Sequence, residues 1–285
     1  MEYKRAYKSI KGRDAVLKAY DEVLGKWTVP YETMDVETTY GRTFILKCGE
    51  DTFPPLLLLH GTSSNSSLWL DDVTEYTKHF SVYALDMPGE PGKSEDRQYS
   101  LKGVAYFDWL NEIVEALDLR RLSITGISLG AWLATGYATR HPDRVDKLVL
   151  LCPSGFGHQR NSFLWKALPL MFLGKWGQNR ISQMVNGGIP LPREVSDYTN
   201  LLSRHFNIRT ETIPLYTDEE LKNLTMPILL YVGEKDVLLN SQETVRRVST
   251  LLPQAKIHYL RNRGHVITGF KADIAKFLVN EKQTE

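Results

Sequence analysis

Gly126-Ile127-Ser128-Leu129-Gly130 follows directly on the apolar run Leu122–Thr125 and leads into Ala131–Arg140, a stretch of helix formers and small residues. A strand, then G-x-S-x-G, then a helix puts a serine on a sharp turn, its hydroxyl clear of a sheet edge as a nucleophile. Glycine suits positions 126 and 130 because strand and helix backbones pass close together there, and a larger residue would crowd the turn. The five letters alone occur by chance in many proteins, so the reading rests on what surrounds them.

Outward from this turn the chain alternates. Short apolar runs at Leu56–Leu59, Val82–Leu85, Lys147–Leu151, Ile228–Val232 and Lys256–Leu260 are separated by glycine-containing turns and helical stretches near 68–79, 101–118, 130–140 and 241–252. A last helix is expected near 270–280 and an amphipathic one over 12–26, where Val16, Leu17, Tyr20, Val23, Leu24 and Trp27 recur at helical spacing. Residues 33–48 read as a hairpin around Tyr40-Gly41-Arg42. Near-continuous apolar strands between helices imply an α/β protein with a mostly parallel sheet covered on both faces. Ligands in such sheets sit at the carboxyl ends of the strands.

One segment breaks the alternation. From Pro153 to about Thr217 no strand is legible, only helix-like pieces and breakers such as Gly187-Gly188-Ile189-Pro190. A structureless loop of that size is improbable in a compact domain, so a helical insertion over the strand ends is expected. Its apolar residues, among them Phe163, Met171 and Phe172, suit a substrate pocket or pack the insertion onto the sheet. Trp69 and Trp132 fit a pocket lining and a plain core role equally well.

A serine hydroxyl needs a base to take its proton. His265 is the candidate, after Lys256–Leu260 and the turn Asn262-Arg263-Gly264. A carboxylate must orient that imidazole; Asp236 follows Ile228–Val232, with Glu234 and Asp218 as rivals nearby. The order Ser128, Asp236, His265 is that of an α/β-hydrolase triad. The oxyanion hole should use the backbone N–H groups of Leu129 and of Thr62, in His60-Gly61-Thr62, which leaves His60 a structural residue. His158 and His205 fall in the insertion and could touch substrate or solvent.

The chain resembles an α/β-hydrolase over nearly its whole length. The matching pieces are Leu56–Gly61, Asp86-Met87-Pro88-Gly89 running to Gly92-Lys93-Ser94, Gly126–Gly130, Arg140–Val145, Pro227–Asp236 and Gly264-His265. Tyr20–Trp27, Pro54–Trp69 and Thr217–Leu221 are similar to bacillary carboxylesterases of the type that cleave naproxen esters. Asp86–Ser94 carries one residue more than the commonest D-x-P-G-x-G-x-S form. The resemblance implies a sheet of about eight strands, a core over 1–153 and 217–285 and a helical cap over 154–216. It implies a serine carboxylesterase without cofactor or metal, acting on a small-molecule ester. The same machinery serves carbon–carbon bond hydrolases, lactonases, amidases and perhydrolases, and some relatives are ligand-binding signalling proteins.

The bulk numbers set bounds. The 285 residues, 42% of them hydrophobic, can bury a sizeable core. A formal charge of +1 without a basic run gives no reason to expect nucleic acid or an anionic membrane as partner. Cys48 and Cys152 suggest no disulfide framework, and the histidines and cysteines lack metal-ligand spacing. The charged start Met1–Arg5 lacks the apolar core of a signal peptide, and no run approaches the roughly 18 apolar residues of a membrane span, so a cytoplasmic location is expected. Oligomeric state is not legible.

Overall fold

The structure, a computed structural model, describes residues 2–160 and 162–280. Among the described residues there are ten strands and ten α-helices. The strands are β1 (Tyr3–Arg5), β2 (Tyr31–Thr38), β3 (Gly41–Cys48), β4 (Pro55–Leu59), β5 (Ser81–Leu85), β6 (Arg97–Tyr99), β7 (Leu122–Ile127), β8 (Val145–Leu151), β9 (Ile228–Gly233) and β10 (Ala255–Leu260). The helices are α1 (Ile10–Leu24), α2 (Val73–Tyr76), α3 (Ala105–Ala116), α4 (Leu129–Arg140), α5 (Ser162–Met171), α6 (Gly174–Val185), α7 (Arg193–His205), α8 (Asp218–Lys222), α9 (Ser241–Leu251) and α10 (Lys271–Val279).

Eight strands form the main sheet in the order β10-β9-β8-β7-β4-β5-β3-β2. Neighbours from β10 to β5 are parallel, while β3 runs antiparallel to β5 and forms the hairpin with β2. This is the α/β-hydrolase fold.

Strand pleating divides the apolar runs between two cores. Leu57, Leu59, Ile124, Leu148, Leu150 and Leu230 face one side, against Leu110 and Ile113 of α3, Leu133 and Tyr137 of α4, and Val248 of α9. Leu56, Leu58, Val149, Leu151 and Leu229 face the other, against Tyr20 and Leu24 of α1, Val73 and Tyr76 of α2, and Ile274 and Leu278 of α10. Because both faces are covered, these strands read as continuous apolar runs rather than alternating ones.

Two local features depart from expectation. In place of one helix over 68–79 there is a 3₁₀ turn at Ser66–Trp69 and the single turn α2. Asp71 and Asp72 lie between them, and short acidic side chains compete with helical backbone bonding. The unexpected pair β1–β6 forms a separate two-stranded antiparallel sheet. Helices α5, α6 and α7 are inserted between β8 and β9. Leu202 and Phe206, at the end of α7, pack on Ala6, Tyr7 and Val16 of the N-terminal segment.

Candidate active site

At the turn between β7 and α4, Ser128 is held at φ +52° and ψ −109°. A non-glycine residue there costs on the order of 1–3 kcal/mol, and such strain concentrates at functional positions. Its N–H donates to the Leu151 carbonyl at 2.9 Å, and its carbonyl accepts the Trp132 N–H at 3.0 Å. The flanking glycines explain how the turn closes. A Cβ on Gly130 would lie 2.2 Å from the Leu59 carbonyl oxygen, and one on Gly126 would lie 2.6 Å from the Ala131 nitrogen. Leu129 opens α4, whose first N–H groups have no intrahelical acceptor, and the Ser128 side chain caps none of them.

Beyond β9 and β10, two loops are pressed together: a Cβ on Gly233 would meet the Gly264 carbonyl oxygen at 2.1 Å. This close approach sets Asp236 beside His265, with Oδ2 2.7 Å from Nδ1. The other carboxylate oxygen accepts the N–H groups of Leu238 at 2.8 Å and Leu239 at 3.0 Å. Burial opposes ionisation of Asp236, but the imidazole and these donors outweigh it and hold the carboxyl below the usual carboxylate range. The rival carboxylates are engaged elsewhere: Asp218 pairs with Arg247, and Glu234 accepts the Asn262 N–H. The His265 N–H donates to Val185, at the end of α6, at 2.8 Å.

Cys152, absent from the sequence reading of the site, lies in the same place. It follows Leu151 at φ +42°, and its sulfur lies with one donor atom each of Asp236 and His265 in a cluster within 4.8 Å. A thiol, a carboxylate and an imidazole are metal-ligand types, and their juxtaposition comes from three strand ends that sequence spacing does not connect. One imidazole nitrogen is committed to Asp236. Burial, and then the Asp236 charge, push the Cys152 thiol well above its ordinary range.

The loop after β4 lies over Ser128, since a Cβ on Gly61 would come 3.5 Å from the serine Cβ. His60 is fully buried and fixes this loop: Nδ1 lies 2.8 Å from the Gly61 carbonyl, and Nε2 accepts the Met87 N–H at 2.9 Å. Thr62 is half-buried in it. The next residue, Ser63, at φ +55°, donates its N–H to Glu90 at 2.7 Å. Glu90 belongs to the lengthened Asp86–Ser94 stretch and is itself buried against Arg209, whose guanidinium also reaches the Tyr99 carbonyl and the Tyr106 hydroxyl.

The expected pocket residues are dispersed. Trp69 is buried on the α1–α10 side of the sheet. Trp132 is buried against Phe107 and stacks on Tyr216, with Nε1 bonded to the Pro214 carbonyl. Phe163 is half-buried, whereas Met171 and Phe172 are 54% and 83% exposed rather than enclosed. Met171 is the last residue of α5 and Phe172 lies in the turn after it, where the chain leaves the helix before α6. His158 is exposed and pairs with Glu243, and the His205 ring covers Gly12. A concavity of about 1120 Å³ lined by residues 2–5, 98–100 and 207–211 contains none of Ser128, Asp236 and His265.

The eight-stranded sheet, the strained serine turn and the acid–imidazole pair past β9 and β10 define an α/β-hydrolase. Residues 56–276 match the alpha/beta hydrolase family, and the chain belongs to it. Among individual proteins it is similar to the uncharacterized carboxylesterase nap of Bacillus subtilis, 28% identical over 259 residues, 88% of this chain and 86% of the relative. It is likewise similar to carboxylesterase CesB (YbfK) of that organism, whose crystal structure superposes with TM-score 0.79 at 25% identity, covering 90% of this chain and 92% of the other. A putative hydrolase from Bacillus subtilis shares the fold at TM-score 0.85 and 23% identity, covering 95% and 100% of the two chains.

Proposed function

We propose that this protein is a serine carboxylesterase for small to medium carboxylic esters. Ser128 Oγ attacks the ester carbonyl while His265 takes its proton, and the tetrahedral oxyanion is held by the N–H groups of Leu129 and Thr62. Collapse expels the alcohol, which receives that proton from the imidazolium. Water, deprotonated by the same imidazole, then cleaves the acyl-enzyme and restores Ser128. Asp236 keeps the proton on Nδ1 and stabilises the imidazolium. The observation that carries this reading is the backbone of Ser128, a strained strand-to-helix turn of the kind that concentrates at functional positions. Membership of the hydrolase family, and two carboxylesterases among the similar proteins, support the ester as substrate.

The cluster with Asp236 and His265 favours one second reading, in which Cys152 is the nucleophile. A thiol held protonated in a buried site is a poor one, which ranks this reading lower. A fluorophosphonate probe separates the two. Labelling is expected at Ser128, Ser128→Ala should abolish turnover of short p-nitrophenyl esters, and Cys152→Ala should retain it. Full activity in Ser128→Ala together with loss in Cys152→Ala would reverse the assignment. A panel of esters, lactones, amides and diketones then sets the bond type. Poor turnover of the esters beside another class would replace the carboxylesterase reading.

A further inference from the structure

Helix α5 is apolar on two sides, and the fold covers one of them. Ala167 is buried, with Phe163 and Leu170 half-buried beside it. Trp165 and Leu168, at i and i+3, stand on the opposite side, 78% and 52% exposed, and Phe172, in the turn that follows α5, is 83% exposed. Leu173 and Trp176 continue this surface around the corner into α6. A helix apolar all round is ordinarily buried, and a contiguous apolar patch of this kind marks an interaction surface.

Charge decides what fits it. Between Asp146 and Glu194 the chain has no Asp or Glu, yet it carries Arg160, Lys166, Lys175, Arg180 and Arg193, all exposed. Arg193 reaches Asp197, and Arg180 donates to Gln183. Arg160, Lys166 and Lys175 form no ion pair among the described residues. A second copy is a poor occupant, because a two-fold contact sets a patch against itself and would bring Lys166 and Lys175 against their own copies, with no Asp or Glu in α5 or α6 to pair them. An anionic bilayer surface answers both features. Trp, Phe and Leu side chains sink to the acyl boundary while Lys and Arg extend to the headgroups. Helix α6 runs from this corner to Val185, whose carbonyl holds the His265 N–H.

We propose that α5 and the start of α6 dock this protein on the surface of an anionic lipid bilayer. Among the described residues no helix is long and apolar enough to cross one, so the contact is with one leaflet. The proposal stands independently of the reaction assigned to Ser128. The test is flotation with vesicles of phosphatidylcholine containing about one-quarter phosphatidylglycerol, against pure phosphatidylcholine. Wild type should float with the anionic vesicles only and be released as salt screens the attraction. Trp165→Glu with Trp176→Glu should lower binding by about tenfold or more. Lys166→Glu and Lys175→Glu should each lower it by about fivefold. Unchanged far-UV circular dichroism and melting would show that the variants are folded, and the Lys pair carries the test if the Trp pair is not. Failure of folded wild type to float, equal binding to neutral vesicles, or variants that bind like wild type would overturn the proposal. So would a wild-type dimer in sedimentation that Trp165→Glu dissociates.

Discussion

His60 and His265 are both buried imidazoles, and their partners give them different work. Both nitrogens of His60 are spent on backbone, as donor to Gly61 and acceptor from Met87, which requires the neutral ring. Burial, only partly opposed by the Asp86 charge, lowers its pKa. Below the unfolded imidazole value of about 6.5, the unfolded chain therefore takes up a proton that folded His60 refuses. Its contribution to stability is full above that pH and is lost as pH falls toward the lower folded value. Urea denaturation followed from pH 7 downward should show this slope, and His60→Gln should remove about one proton's worth of it. Glu90 supports the same loop through Ser63, and its buried countercharge is Arg209. Arg209→Ala should cost about 3–5 kcal/mol in the same measurement, because it strands a buried carboxylate, whereas Arg209→Ala with Glu90→Gln should cost less than the sum. His60 was legible as structural from its place after a strand. Glu90 was not, because Arg209 lies 119 residues away and no local pattern records that meeting.

At the scale of elements, the glycines of the β7–α4 turn and of the loop after β4 differ in what a methyl group would strike. At Gly130 it strikes backbone of β4 and its loop at 2.2 Å, where nothing can yield; at Gly61 the nearest atoms are 3.5 Å away. Gly130→Ala should therefore lose more than about 4 kcal/mol or fail to fold, while Gly61→Ala should be soluble with a nearly unchanged urea midpoint. The crossing that demands this was readable from G-x-S-x-G after an apolar run. So were β4, β5 and β7 to β10, as short apolar runs bounded by turns. The pair β1–β6 was not, since three-residue strands have no period to detect.

Across the whole molecule, the six tryptophans divide by environment. Trp27, Trp69, Trp109 and Trp132 are at most 8% exposed, while Trp165 and Trp176 are 78% and 64% exposed. Acrylamide should quench two classes of tryptophan, and Trp165→Phe with Trp176→Phe should remove the accessible class; a single inaccessible class in wild type would mean the α5 face is covered in solution. The inserted helices were legible as helices, but their direction was not. Met171 and Phe172 suited a pocket but are exposed, because the helix ends at Met171, and where a helix stops and its chain turns depends on packing that a run of apolar residues does not record. The whole-chain charge of +1 likewise concealed an acid-free stretch between Asp146 and Glu194, in which Lys166 and Lys175 stand exposed on α5 and α6. By itself, the amino-acid order determined the parallel sheet, the serine turn and the chain order of Ser128, Asp236 and His265, since each follows from local period, backbone sterics and residue chemistry. Only tertiary structure decided which carboxylate meets His265, that Cys152 joins them, and which face of α5 is left to solvent. Those depend on strand ends and helix faces brought together from distant parts of the chain, where no short-range rule applies.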